Sequence, residues 1–267
     1  MSRTRTSPTT LATSQEIRDR GSTFVGYVYR AQTVDEAKGA LGCHASEDGG
    51  SGRVHVGGEG EERTGRHGKE KDGKDKHGPY TIAAWRCMVV KPGRTGLNGP
   101  DDFTVVEGCE DGGERWAGGR VLGVMKREGV IDAVVLVRRW CVRDWCGGPT
   151  TLTALDRFGG TLLGPVRFTH VETCAGEVCR RFRKIEEMDE CVQTLTTLDD
   201  LLATLRAELA AVRTPDSTAD NTRTARVPDY RTMQDGLDLT KAKRLIHARE
   251  CAINATKSLI EKCKTST

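Results

Sequence analysis

The sequence predicts an α+β domain, a two-layer sandwich of a sheet and the helices packed on it, with further helices appended at the C-terminal end. Three observations lead there. Short stretches rich in β-branched and aromatic residues recur at residues 23–30, 81–90 and 102–107, each bounded by turn-forming residues. Residues 130–137 (VIDAVVLV) are apolar almost throughout, as in a central strand covered on both faces. Between and after these strands, residues 116–128 and 165–182 repeat their apolar positions at three- and four-residue steps, the period of a helix with one buried face. Strands with helices on one side make a two-layer α+β arrangement.

Taken in order, residues 1–21 are polar and carry no apolar run, which predicts a disordered tail rather than a secretory signal. A strand follows at 23–30. Thr33 with Glu36 three residues on forms a capping box and starts a short helix over 34–41. Residues 47–78 are almost entirely Gly, Lys, Glu, Asp, Arg and His, and burial there cannot offset ordering entropy, so a disordered insert is expected. His55, His67 and His77 within it are irregularly spaced and read as a solvated tract, not as metal ligands. The strands at 81–90 and 102–107 flank a Gly/Pro-rich connection and form a hairpin. A tight acidic turn at 109–113 leads into the helix at 116–128, with Val121, Leu122, Val124 and Met125 inward and Gly129 as a left-handed cap.

Beyond the domain, expected to span 22–185, the segment 186–213 is predicted as a separate appended helix. Thr197 is its cap, Asp199 and Asp200 suit its first turn, and Leu198, Leu201, Leu202, Leu205 and Leu209 form its apolar stripe. Residues 214–236 are a polar linker. Residues 237–265 hold a basic amphipathic helix carrying Lys241, Lys243, Arg244, Arg249, Lys257, Lys262 and Lys264, either docked on the protein or serving as an arm for an acidic partner, the arm being preferred.

The stretch 157–175, RFGGTLLGPVRFTHVETCA, organises the rest. Gly159, Gly160 and Gly164 set up a loop, and Pro165 suits the first position of the helix that follows. The helix start, with Arg167 and His170 expected exposed beside free N–H groups, could hold an anion; equally, the glycines could serve only a tight turn and close packing. Asp111 and Glu114 are the acidic pair beside a Gly-rich turn. With Arg167 and His170 they could form an acid–base set around a phosphate. Alternatively, Asp111 stabilises its turn and Glu114 suits the helix dipole. The candidate binding residues are therefore Asp111, Glu114, Arg157, Gly159, Gly160, Gly164, Arg167 and His170. No catalytic residue and no metal ligand is assigned.

The segments EDGGERWAGGRVLGVMKREGVIDAVVLVRRW (110–140) and RFGGTLLGPVRFTHVETCA together resemble the IMPACT family, shared by bacterial YigZ-like proteins and eukaryotic translation regulators. The pieces of the pattern run in order: acidic-Asp-Gly-Glu, Ala-Gly-Gly, a Val-rich strand, Arg-aromatic with Gly-Gly, then Leu-Gly-Pro-x-Arg-Phe. The resemblance covers residues 22–182 and is closest to the fungal form. It implies a ribosomal-protein/RNase PH-like two-layer fold. In the family the Val-rich strand runs directly into the Gly-Gly turn, whereas here residues 141–156 intervene. They read as unspliced intron sequence in the gene model, the preferred explanation, or as a tolerated surface loop.

At 36% apolar and 30% charged the chain reads as soluble and globular, and a net charge of +3 does not mark a globally basic nucleic-acid binder. Ten cysteines without a CxxC pair fit reduced thiols, and no apolar run long enough to span a membrane occurs. No Ser-His-Asp set, HExxH, P-loop or GxGxxG is present. No enzyme activity and no cofactor is expected. The resemblance implies a cytoplasmic, non-enzymatic regulator of translation in the amino-acid-starvation response. Its implied partners are the ribosome or ribosome-associated translation regulators and monomeric actin, with RNA reached through basic patches and no membrane contact. Those regulators carry an RWD domain before the matching region, and this chain is expected to lack it. The alternative is a phosphate-ligand-binding protein or enzyme acting at the Gly-rich loop.

Overall fold

The computed structural model describes residues 8–46, 80–141, 163–213 and 228–265. It divides into two units, 1–182 and 183–267. The first is built on a six-stranded antiparallel sheet in the order β1-β3-β6-β4-β5, with β2 also pairing β3. Its strands are β1 (Ala12–Thr13), β2 (Ile17–Asp19), β3 (Ser22–Arg30), β4 (Tyr80–Val90), β5 (Phe103–Glu110) and β6 (Ala133–Cys141). The apolar run 133–137 lies at the centre, and its residues are completely buried.

Alternation along the strands gives each sheet face its own core. Phe24, Val28, Ile82, Ala84, Val135 and Val137 point to one face. Helices α2 (Ala117–Glu128) and α3 (Val166–Arg213) cover it with Val121, Val124, Met125, Val171, Ala175, Val178 and Phe182. Tyr29, Ala83, Trp85, Cys87, Val134 and Leu136 point to the other face, under Ala37, Ala40 and Leu41 of α1 (Val34–Ser46). The α+β class is as expected, but helices do not lie on one side alone, because α1 adds a partial layer on the second face. The apolar continuity of β6 required a cover on both faces. At the start of α1, the Glu36 N–H donates to Thr33 Oγ1 (3.2 Å) and the Gln32 N–H donates to the Glu36 carboxylate (2.9 Å). Gly129 closes α2 at φ 68°.

Two sequence expectations need correction. Residues 12–19, expected within a disordered tail, supply β1 and β2: Ala12 pairs with Val28 and Ile17 with Phe24, so this polar stretch is ordered by the open edge of β3. The helix expected to begin at Thr197 does not begin there, since α3 runs unbroken through Arg213. Thr197 Oγ1 donates to the Gln193 carbonyl one turn back (3.0 Å), and no Gly or Pro interrupts 177–213. Thr197→Ala is therefore expected to leave thermal stability within about 0.5 kcal/mol of the parent, where loss of a true cap would cost about 1 kcal/mol. The inserts 47–78 and 141–156, apart from the backbone of Cys141, lie outside the described residues, as does most of the 214–236 linker.

The second unit contains the C-terminal part of α3, α4 (Arg231–Asp235) and α5 (Leu239–Thr265). Buried or half-buried residues recur at seven-residue steps on α3 (Met188, Leu195, Leu202, Leu209 and Cys191, Leu198, Leu205, Val212). The same holds for α5 (Leu239, Ile246, Ile253, Ile260 and Ala242, Arg249, Thr256, Cys263). Ion pairs Lys243–Glu187, Arg249–Asp199 and Lys264–Glu208 follow the same order along both helices, so the two run parallel. Tyr230 donates to Asp199, which also accepts from Arg249 and thereby satisfies the one cation in the α5 seam. The preferred reading of α5 as a free arm is thus corrected: its acidic partner is α3 of the same chain.

Candidate functional site

The acidic turn after β5 is built by its own carboxylate. Asp111 Oδ2 accepts from the Trp116 N–H (2.9 Å) and Oδ1 from the Gly118 N–H (2.8 Å), so this side chain caps α2 from six residues upstream of its first residue. Gly112 and Gly113 take φ 55° and 96°. The turn then delivers Glu114 inward, where it is only 6% exposed.

There Glu114 meets two arginines. Arg139, at the end of β6 and 2% exposed, donates Nη1 to Oε1, and Arg167 from the first turn of α3 donates Nε to Oε2 (3.0 Å). Arg139 also reaches Ser22 Oγ (3.1 Å) and lies over the rings of Phe24 and Tyr80. Arg167 donates its Nη1 to the Gly164 carbonyl (2.6 Å) and lies over Phe168, whose ring also faces Arg120. One turn further, His170 Nε2 pairs with Asp19 Oδ2 (2.9 Å). Charges removed from water must be paired to persist, and these groups pair with one another across separate elements, although Arg139 Nε has no hydrogen-bond partner among the described residues.

The structure thus brings together Asp111, Glu114, Gly164, Arg167 and His170, while Arg157, Gly159 and Gly160 lie outside the described residues. It corrects one expectation about them. Arg167 and His170 are not exposed beside free N–H groups; their side chains retain 22% and 19% exposure and face Glu114 and Asp19. The carboxylate expected at a helix dipole is instead the centre of an arginine pair. Phe168 beside them is partly buried and packs against the core.

Two residues escaped the sequence reading. Arg139 carried a signal, since a charge on an otherwise apolar central strand must have a buried partner. Trp116 carried none that could be interpreted alone. It is 64% exposed, adopts φ 69° at the N-cap of α2 and has the Arg115 guanidinium 4.6 Å from its ring. Glycine is preferred at that φ and a small polar residue at that cap, so an indole here serves neither purpose.

Among the described residues no group of three or more His, Cys, Asp or Glu could hold a metal ion, and no helix is long and apolar enough to cross a membrane.

Comparison with known proteins bears directly on this turn–strand–helix unit. The profile of the Impact N-terminal domain matches residues 59–179, which contain Asp111, Glu114, Arg139 and Arg167. This part of the chain is an IMPACT-type domain. It is 38% identical over 78 residues to Protein IMPACT of Bos taurus, covering 29% of this chain and 19% of the bovine protein. An IMPACT family member of Saccharomyces cerevisiae is 34% identical over 77 residues, covering 29% and 35%. One of Schizosaccharomyces pombe is 32% identical over 127 residues, covering 48% and 32%. The matches thus span about a fifth to a third of these relatives' lengths. The IMPACT profile begins after α1, yet β3 lies between β1 and β6 in the sheet, so the domain is completed by strands outside the matched range.

Proposed function

We propose that this chain, which carries an IMPACT-type domain, is a non-enzymatic, cytoplasmic regulator of translation in the amino-acid-starvation response, acting by binding ribosome-associated translation machinery. The observation that carries the binding reading is Trp116, an exposed indole held in left-handed backbone with a guanidinium against it. Backbone strain is retained where the surrounding structure over-determines it and clusters at functional positions. Tryptophan and arginine are the side chains that most often dominate binding energy at protein interfaces. The groups that could have supported acid–base chemistry support this reading in a different way. Asp111 is occupied by two backbone N–H groups, Glu114 by two arginines and His170 by Asp19.

The test is capture from extracts of amino-acid-starved cells, with bound proteins identified by mass spectrometry. The parent chain is expected to retain ribosomal proteins or ribosome-associated regulators. Trp116→Ala keeps the same backbone requirement and should fold normally, yet lose capture by roughly 30-fold, as an interface anchor worth about 2 kcal/mol would. Equal capture by the variant would place the contact surface elsewhere, and absence of translation components from both would overturn the reading.

A further inference from the structure

On the outward side of α5, away from its seam with α3, His247 and Cys251 lie one helical turn apart and both are exposed. Cys251 Sγ is 3.7 Å from His247 Nε2, and the other ring nitrogen, Nδ1, faces Glu250 Oε2 at 3.9 Å. An imidazole within reach of a thiol can take its proton as the sulfur attacks, and the thiolate is the reactive form. Beside this pair is a depression of about 430 Å³ lined by Leu239, Thr240, Lys243, Arg244 and His247. Its walls are cationic. Lys243 is engaged by Glu187 of α3 at 2.6 Å, whereas Arg244 is exposed and has no carboxylate bonded to it among the described residues. Two further basic residues of α5 are committed to α3, Arg249 to Asp199 and Lys264 to Glu208.

We propose that Cys251, His247 and the adjoining depression form a site for reversible mixed-disulfide formation with a small, carboxylate-bearing disulfide. The depression holds an anionic group beside Arg244. His247 accepts the thiol proton, and the Cys251 thiolate attacks one sulfur of the incoming disulfide. That S–S bond breaks as the new one to Cys251 forms, and the departing thiolate takes the proton from His247. Cys251 is oxidised and the departing sulfur reduced, so no further oxidant is required.

Three other described thiols differ in ways that make them internal controls. Burial pushes the Cys87 thiol up to about 11 and the Cys179 thiol up to about 12. Cys109 is exposed, but partial burial and the carboxylates of Asp111, Glu107 and Glu110 push it up as well.

The experiment uses the full chain, oxidised glutathione at neutral pH and site-resolved peptide mapping by mass spectrometry. Cys251 is expected to be modified at least about 10-fold faster than Cys109, because His247 is placed to take its proton as it attacks while Cys109 faces carboxylates. His247→Ala should slow modification of Cys251 about 10-fold at pH 7, by removing the base that takes the thiol proton. Arg244→Ser should slow the reaction with oxidised glutathione and leave that with an uncharged disulfide, hydroxyethyl disulfide, unchanged. All three positions lie on the outward face, so an unchanged melting curve accompanies each expected result. Equal rates at Cys251 and Cys109, or a His247→Ala rate equal to the parent's, would overturn the proposal. An Arg244→Ser effect identical for both disulfides would overturn the role of the depression.

Discussion

Glu114→Ala is expected to destabilise the first unit by about 3–5 kcal/mol, because it leaves the guanidinium of Arg139 buried without its carboxylate. Ser22 Oγ would remain as a partner, but a hydroxyl does not neutralise a charge. Arg167 loses its carboxylate too, though it keeps the Gly164 carbonyl and some solvent. Arg167→Ala should therefore cost less, about 1–3 kcal/mol, by leaving Glu114 with one guanidinium instead of two. The double variant should show non-additivity, since both groups share one carboxylate. Urea unfolding with an unchanged m-value checks both magnitudes. A loss below about 1 kcal/mol for Glu114→Ala would show that the cluster is not a structural lock, and Glu114 would then return to consideration as a functional carboxylate.

Gly112→Ala should be comparably severe for a steric reason. A Cβ on Gly112 would lie 1.9 Å from the Thr81 carbonyl oxygen, and Gly112 has φ 55°. Thr81 sits opposite Arg138 in the β4–β6 ladder, so its carbonyl cannot withdraw without disturbing the sheet. Left-handed backbone and overpacking together amount to about 3 kcal/mol or more. Gly119→Ala is the matched control: it lies within α2, a Cβ there meets nothing within 4 Å, and helix propensity alone should stabilise by about 0.5–1 kcal/mol. Thermal melts of the two variants should move in opposite directions. Similar melts for both would show that the turn relaxes away from β4.

The acidic Gly-Gly turn was legible in the sequence as a turn, and its stabilisation by Asp111 was one of the readings, whereas the capping of α2 by that side chain was not. What the spacing of Asp111, Glu114, Arg167 and His170 could not reveal is which side chains face which. Glu114 could equally have met a helix dipole or an arginine, because each supplies positive potential. Arg139 decided the matter. The exposure of Trp116 was likewise illegible, since an indole near an amphipathic helix is ordinarily read as core.

Local rules were sufficient for much of the chain. The capping box at Thr33, the hairpin across the Gly/Pro-rich connection, the Gly129 cap and the buried run in β6 each follow from interactions within a few residues or from one strand's own apolarity. Only the tertiary structure decided the rest. Residues 12–19 become strands because β3 offers them an unpaired edge, not because of their own composition. Thr197 stays inside a helix because its stretch of α3 packs along a seven-residue seam against α5, and that seam commits α5's basic residues to α3's carboxylates. Arg167 and His170 face Glu114 and Asp19 because those carboxylates, distant in sequence, arrive at the helix start. In each case the controlling partner is supplied by another element, and a side chain's electrostatic and packing preferences specify the kind of partner it needs without specifying which one the fold will bring.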